Sequence, residues 1–300
     1  MNTPSADHTT PAVTIGIDLG GSGTRIVALD TAGQPAGRDA TPTLTDTDQT
    51  AAVRALADCI SQVAAGRPID AIGIGASGPL DAAGIIHNHA TLPAFSELEL
   101  TRSLEAAFGV RCVIDNDAAT AALGELTYGA HRDSRALLTV TLGTGIGAAF
   151  IDNGHLFKTV KGTHPELGHI AVPGPGAPCY CGLATCWEQL ASRTALTRQL
   201  GRDPDTAATQ AHSGDTTTAL LFDRYGHHVG TGLSTLLSIF EPTHVVLGGG
   251  AARYFDLFDA GMRCALQRSD PFVPSAVISR SSLGADAGAL GAAALARPHR

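Results

Sequence analysis

An α/β protein with a largely parallel core is the fold class this sequence predicts, and three observations carry it. Short apolar strands alternate with amphipathic helices, polar clusters fall at strand ends, and 44% of the chain is apolar. At 300 residues the chain is near the size at which one core stops growing, so one large or two medium domains are expected. No apolar run reaches the ~18 residues of a membrane span. Twenty Lys and Arg against 28 Asp and Glu, a net charge of -8, give no broad basic footprint for nucleic acid. The start, Met1-Asn2-Thr3-Pro4, lacks a basic stretch followed by an apolar one, so no secretory signal is expected. Six cysteines are no disulfide scaffold. Three of them lie within eight positions, which points to metal in a reducing, cytoplasmic setting.

Residues 1–12 read as a polar tail. Val13–Asp18 is an apolar strand, Leu19-Gly20-Gly21-Ser22-Gly23-Thr24 a glycine turn, and Arg25–Asp30 the returning strand, so the opening is a hairpin. No helical period follows Gly23, which argues against a dinucleotide-type strand-to-helix loop. Val53, Leu56, Ala57, Ile60 and Val63 recur every three or four residues and predict a helix over 48–64. A buried strand over 69–75 ends in the sharp turn Ala76-Ser77-Gly78-Pro79-Leu80. A helix over 98–108 and a strand over 110–114 follow, then Asp115-Asn116-Asp117, then a helix over 118–126. Ala136–Leu142, the turn Gly143-Thr144-Gly145-Ile146-Gly147 and Ala148–Ile151 repeat the opening hairpin, an internal echo that suggests two related halves. A cysteine-rich irregular stretch spans 172–185. Helices are predicted over 186–200 and 217–238, a strand over 243–247 running into Gly248-Gly249-Gly250, and an alanine-rich helix over 287–295. Arg and His follow that last helix, as its dipole favours.

The glycine turns carry the first chemistry. Gly20, Gly21 and Gly23 allow the backbone to approach a ligand closely, and their N–H groups suit phosphate oxygens. Ser22 and Thr24 add hydroxyls, and Asp18 at the strand end is placed to hold a hydrated Mg²⁺. Gly143, Thr144 and Gly145 could grip the same polyphosphate from the other side, while Gly249 and Gly250 offer an approach surface for base or ribose. The plainer alternative is that these glycines only shape hairpins. Asp117 either caps the helix that follows or acts as a general base toward a hydroxyl attacking phosphorus, with Asn116 orienting the acceptor.

Cys179, Cys181 and Cys186, with His169 ten residues before the first of them, suit a closed tetrahedral zinc site, structural because no position is left for water. Glu166 and Glu188 flank this cluster, and zinc would hold the segments that carry them. Two carboxylates so held can accept hydrogen bonds from a polyol. His169 could also reach sugar through its second ring nitrogen. Ser77 and Asn88 are further substrate-side candidates. Cys59, Cys112 and Cys264 are expected in the core.

Taken in order, these segments resemble the ROK family (repressors, open reading frames and sugar kinases) of the sugar-kinase, actin and heat-shock ATPase superfamily. Asp18-Leu19-Gly20-Gly21-Ser22 is similar to its first phosphate motif and Asn116-Asp117-Ala118 to its catalytic stretch. Gly143-Thr144-Gly145-Ile146-Gly147 resembles its second phosphate motif. Glu166-Leu167-Gly168-His169 with Cys179-x-Cys181-Gly182-x-x-x-Cys186-x-Glu188 resembles its sugar and zinc signature, and Gly248–Gly250 with Asp286–Ala292 its nucleotide-side elements. The resemblance implies a two-lobed actin-like fold with a ligand cleft between lobes. Its N-terminal lobe would be 13–116 plus 288–300, and its C-terminal lobe, with the zinc segment, 117–287. It implies Asp117 as general base, sugar contacts from Asn116, Glu166, His169 and Glu188, zinc on His169, Cys179, Cys181 and Cys186, and a homodimer.

Three positions depart from the family pattern: Gly23 stands where lysine is usual, Pro165 replaces a glycine before Glu166, and Thr185 replaces a glycine in the knuckle. The activity implied is ATP-dependent, Mg²⁺-assisted phosphorylation of a hexose 6-hydroxyl. Glucose is the first expectation; fructose, mannose or an N-acetylhexosamine are the alternatives. The missing lysine keeps polyphosphate or another nucleotide open as donor, with Arg25 a possible replacement charge. A non-catalytic sugar-responsive regulator is the alternative of a different class. Against it, only about 12 residues precede the first strand, too few for a helix-turn-helix.

Overall fold

Two α/β units make up the chain, Met1–Thr120 with Gly288–Arg300, and Ala121–Ala287. The computed structural model describes residues 10–267 and 275–297. Most of the expected tail lies outside the described residues, as do His299 and Arg300 behind the last helix.

In the first unit the apolar run Val13–Leu19 forms β1, and β2 (Thr24–Leu29) and β3 (Pro35–Thr41) complete an antiparallel meander. The opening hairpin is therefore present. β3 is largely exposed and polar, so it carries no apolar alternation by which a sequence pattern would mark it. α1 (Gln49–Ala64) is capped by Asp48, whose carboxylate accepts the Ala51 N–H at 2.9 Å, and it buries Leu56, Ile60 and Val63. β4 (Ile69–Ala76), α2 (Leu100–Phe108), β5 (Arg111–Asn116) and α3 (Asp117–Tyr128) follow. The sheet order is β3-β2-β1-β4-β5, with β1, β4 and β5 parallel. Leu19 pairs with Ala76, and Ala76 with Asn116, so three carboxyl ends fall in register.

The second unit repeats this plan. β6 (Ala136–Leu142), β7 (Ile146–Asp152) and β8 (His155–Leu156) form the meander. The helices α4 (Trp187–Ala191), α5 (Arg193–Leu200), α6 (Pro204–His212) and α7 (Thr216–Phe240) lead to β9 (His244–Gly248), then α8 (Phe255–Leu266) and β10 (Val277–Arg280). The order β10-β9-β6-β7-β8 mirrors the first sheet, and β9 runs parallel to both β6 and β10. The internal echo in the glycine hairpins thus extends to whole sheets. Both sheets are mixed, not largely parallel, because each begins with a meander.

The helix expected over 186–200 is two helices. The chain breaks at Ser192, whose hydroxyl accepts the Ala195 N–H at 3.1 Å and starts α5 afresh. α9 (Ala287–Ala296), all but its first residue, belongs to the first unit and lies on β1 and β4. A methyl group on Gly16 would come within 1.9 Å of the Ala289 carbonyl oxygen, so only glycine lets helix and sheet pack this closely.

Each unit has its own core. Ile15, Ile17, Leu19, Ile26, Ile72 and Ile74 pack against α1 in the first. In the second, Trp187, Phe222, Tyr225, Val229 and Leu233 pack under β6. Cys112 is buried and Cys59 half-buried, but Cys264 is exposed, which corrects its expected core position: it falls on the outer face of α8. Among the described residues no helix is long and apolar enough to cross a membrane.

Candidate active site and metal centre

The carboxyl ends of β1, β4 and β5 gather the first unit's candidates. Asp18 is on β1, one residue before its end, Ser77 directly follows β4, and Asn116 closes β5 with Asp117 opening α3. The Gly20–Gly23 turn is closed by the Gly20 N–H donating to the Gly23 carbonyl at 3.1 Å, and the Thr43 hydroxyl donates to the Gly20 carbonyl at 2.5 Å. Ser22 stands exposed within that turn. Thr24 sits differently from its expected place among the phosphate donors. Its side chain is buried and bonds Thr43 at 2.9 Å, bracing the turn from behind.

Asn116 is the side chain that caps α3, its Oδ1 accepting the N–H groups of Ala118 and Ala119 at 2.9 and 3.2 Å. Asp117 Oδ1 accepts the adjacent Ala118 N–H at 2.8 Å. The capping that competes with a chemical role for Asp117 is thus performed mainly by its neighbour. Asn88 is turned onto its own unit: its amide donates to the Ser77 carbonyl at 3.0 Å and to the Thr91 hydroxyl at 2.7 Å. Thr91, which the sequence pattern did not single out, lies against Gly21, so the 88–91 loop braces both the first turn and the Ser77 turn.

Burial pushes the Asp18 carboxyl up to about 6, and Arg25, directly opposite on β2, opposes the rise. A carboxylate this reluctant to ionise fits a cation beside it. Arg25, weighed as a substitute for the missing lysine, has Asp18 as its cross-strand neighbour.

In the second unit, Gly143 N–H donates to Gly145 O at 3.0 Å, the same closure as in the first turn. The start of α5 holds this turn: Arg193 N–H donates to the Gly143 carbonyl and the Thr194 hydroxyl to the Thr144 carbonyl, both at 2.8 Å. The aliphatic part of Arg193 also lies over Gly250, and Gly249 takes a positive φ of 78° against the end of β6. Gly143, Thr144, Gly145, Gly249, Gly250 and Arg193 therefore share one surface. Arg193 and Thr194 escaped the sequence reading because a helix break, invisible to periodicity, brings them there.

Glu188 is buried beside the second turn. Its Oε2 accepts the Ile146 N–H at 3.1 Å, and any side chain at Gly145 would meet that oxygen at 2.3 Å. Trp187, wholly buried and donating its indole N–H to the His228 carbonyl at 3.0 Å, anchors the start of α4 on α7. Glu166 is exposed at the start of the short 3-10 turn Leu167–His169.

The ligating atoms of His169, Cys179, Cys181 and Cys186 all lie within 4.8 Å of one another. His169 Nδ1 is 3.4 Å from Cys186 Sγ and 3.7 Å from Cys179 Sγ. A tetrahedron with Zn–S near ~2.3 Å and Zn–N near ~2.0 Å has edges of about 3.5–3.8 Å, which the two His169–sulfur distances match, and the donor set of one imidazole and three thiols fits zinc. The Leu183 N–H holds the Cys181 thiol below its ordinary range, while burial pushes Cys186 up to about 12. A thiol buried in this way ionises readily only beside a cation. His169 Nε2 points away from the sulfurs, 3.8 Å from Glu188 Oε2.

Compared with known proteins, the chain matches the ROK family over residues 14–299. It is 30% identical to the glucokinase of Thermotoga maritima, over 94% of this chain and 96% of that one. The crystal structure of a ROK family glucokinase from Streptomyces griseus in complex with glucose and AMPPNP resembles it with a TM-score of 0.83 at 29% identity, covering 95% of this chain and 99% of the other. For the ROK hexokinase of Thermus thermophilus the TM-score is 0.77 at 33% identity, over 95% and 97%.

Proposed function

The chain belongs to the ROK family, and from that premise we propose that it phosphorylates the 6-hydroxyl of a hexose, glucose first, with ATP as donor. The observation that carries this reading is the gathering of a glycine phosphate turn, Asp18 and Asn116–Asp117 at the in-register carboxyl ends of three parallel strands. The near full-length likeness to a glucokinase holding glucose and AMPPNP supports both substrates.

Asp117 accepts the proton of the 6-hydroxyl as that oxygen bonds to the γ-phosphorus; the bond from phosphorus to the ADP oxygen breaks, giving hexose 6-phosphate and ADP. Asn116 spends its carbonyl oxygen on the helix cap and keeps its amide N–H groups for a sugar hydroxyl. Gly20 and Gly143 close their turns with their own N–H groups, leaving those of Gly21–Gly23 and of Thr144 and Gly145 for phosphate oxygens, and Gly249, Gly250 and Arg193 form the nucleotide side of the second unit. When bound, Mg²⁺ would neutralise charge on the transferring phosphoryl group, and Asp18 is the residue to hold it. Glu166, Glu188 and His169 Nε2 take the remaining sugar hydroxyls, on segments that zinc holds in place.

The test is a panel of glucose, mannose, fructose and N-acetylglucosamine, each offered ATP or inorganic polyphosphate, with sugar 6-phosphate measured directly. Turnover is expected with ATP, and the largest kcat/KM with glucose. Sugar binding without turnover from either donor would contradict the assignment.

A further inference from the structure

Between two zinc-ligand candidates stands Tyr180, a residue to which the chemistry above gives no task. Tyr180 is 81% exposed, yet its hydroxyl lies 3.0 Å from His169 Nε2, the nitrogen that is itself 3.8 Å from Glu188 Oε2. The two rings meet edge to face, with centroids 5.0 Å apart. Since Nδ1 faces the sulfurs, Nε2 is the nitrogen that carries the proton when the imidazole ligates a metal. The phenol oxygen then accepts from Nε2–H, on the side of the ring that faces the Glu188 carboxylate. A sugar hydroxyl in that place would accept the same bond from Nε2–H, because it too is a donor and an acceptor, and it would have Glu188 within reach for its own proton.

We propose that Tyr180 is a built-in stand-in for a sugar hydroxyl, filling the position between His169 and Glu188 until a hexose displaces it, so that it sets the protein's sugar affinity. This rests on the reading of His169 and Glu188 as sugar contacts. The geometry suits displacement. The ring buries little surface, so swinging it outward costs little apolar contact. The backbone beneath it is pinned, with Cys179 N–H donating to Leu183 O and Gly182 N–H to Cys179 O, both at 3.0 Å. Only the side chain has to move. The incoming hydroxyl gains just the difference between its own hydrogen bonds and the one the phenol already makes with His169, which lowers affinity for every hexose using this position.

The experiment measures hexose Kd by titration calorimetry, together with KM and kcat, for the zinc-loaded wild type, Tyr180→Phe and Tyr180→Ala. Zinc content serves as the check that the knuckle is intact. One net hydrogen bond sets the expected size: Kd and KM for glucose fall about three- to tenfold in both variants, while kcat and KM for ATP stay put. Unchanged or raised sugar Kd in the variants overturns the proposal, a rise meaning that Tyr180 is itself a sugar ligand. A fall in Tyr180→Ala alone also overturns it, by assigning the effect to the ring and not the hydroxyl. A wild type that binds no hexose overturns the sugar-site reading and this proposal with it, so the two failures are told apart.

Discussion

Asp18 shows how a single buried carboxylate can act against the fold that holds it. It is the penultimate residue of a strand whose other residues are buried, stands opposite Arg25, and is crowded by Gly288, where a methyl would lie 2.8 Å from its carboxyl carbon. Its carboxyl is raised to about 6, chiefly by burial. Between the ordinary carboxylate value and about 6 the folded chain therefore holds a proton that the unfolded chain has released. The contribution of this group to stability is full in acid and is lost as pH rises through about 6. Asp18→Asn, which keeps the shape and removes the charge, should raise Tm at pH 7.5 and leave Tm at pH 4 nearly unchanged, while turnover falls at least about 100-fold. A lower Tm at pH 7.5 would show that the carboxylate is stabilised by its surroundings after all.

The cluster of His169 and three cysteines, proposed above to hold zinc, acts at the scale of elements. It joins the Leu167–His169 turn to the start of α4, and those two segments carry Glu166, His169 and Glu188. Cys181→Ala should reduce zinc from about one atom per chain to none and raise the sugar KM about tenfold or more, in line with the loss of groups that hold ligands in place. Full zinc content, or an unmoved sugar KM, would separate the metal from the sugar. The knuckle was legible in the sequence because thiol spacing is itself the signal. The strands and helices with strong apolar period were legible for the same kind of reason: β1, β2, α1, β4, β5, β6, β9 and α9 all lie where apolar runs or repeats fall. β3 was not, being a polar, exposed edge, and neither was the break at Ser192, where a cap interrupts a continuous pattern. Contacts made only by folding stayed hidden too: Thr91 against Gly21, Arg193 over Gly250, and the hydroxyl of Tyr180 against His169.

At the scale of the whole molecule, one plan is used twice. A meander opens each sheet, its first strand pairs in parallel with a later one, and a glycine turn joins its first two strands. The first unit carries Asp18 and Asp117; the second carries the thiolate cluster, Glu188 and Arg193. The most direct test compares wild type with Asp117→Asn, measuring kcat and, separately, glucose Kd by calorimetry. Loss of a general base predicts a kcat lower by about 10³-fold or more, near 4 kcal/mol of barrier, with Kd within about threefold of wild type. Near-normal turnover by Asp117→Asn would contradict the account, for then some other group removes the proton.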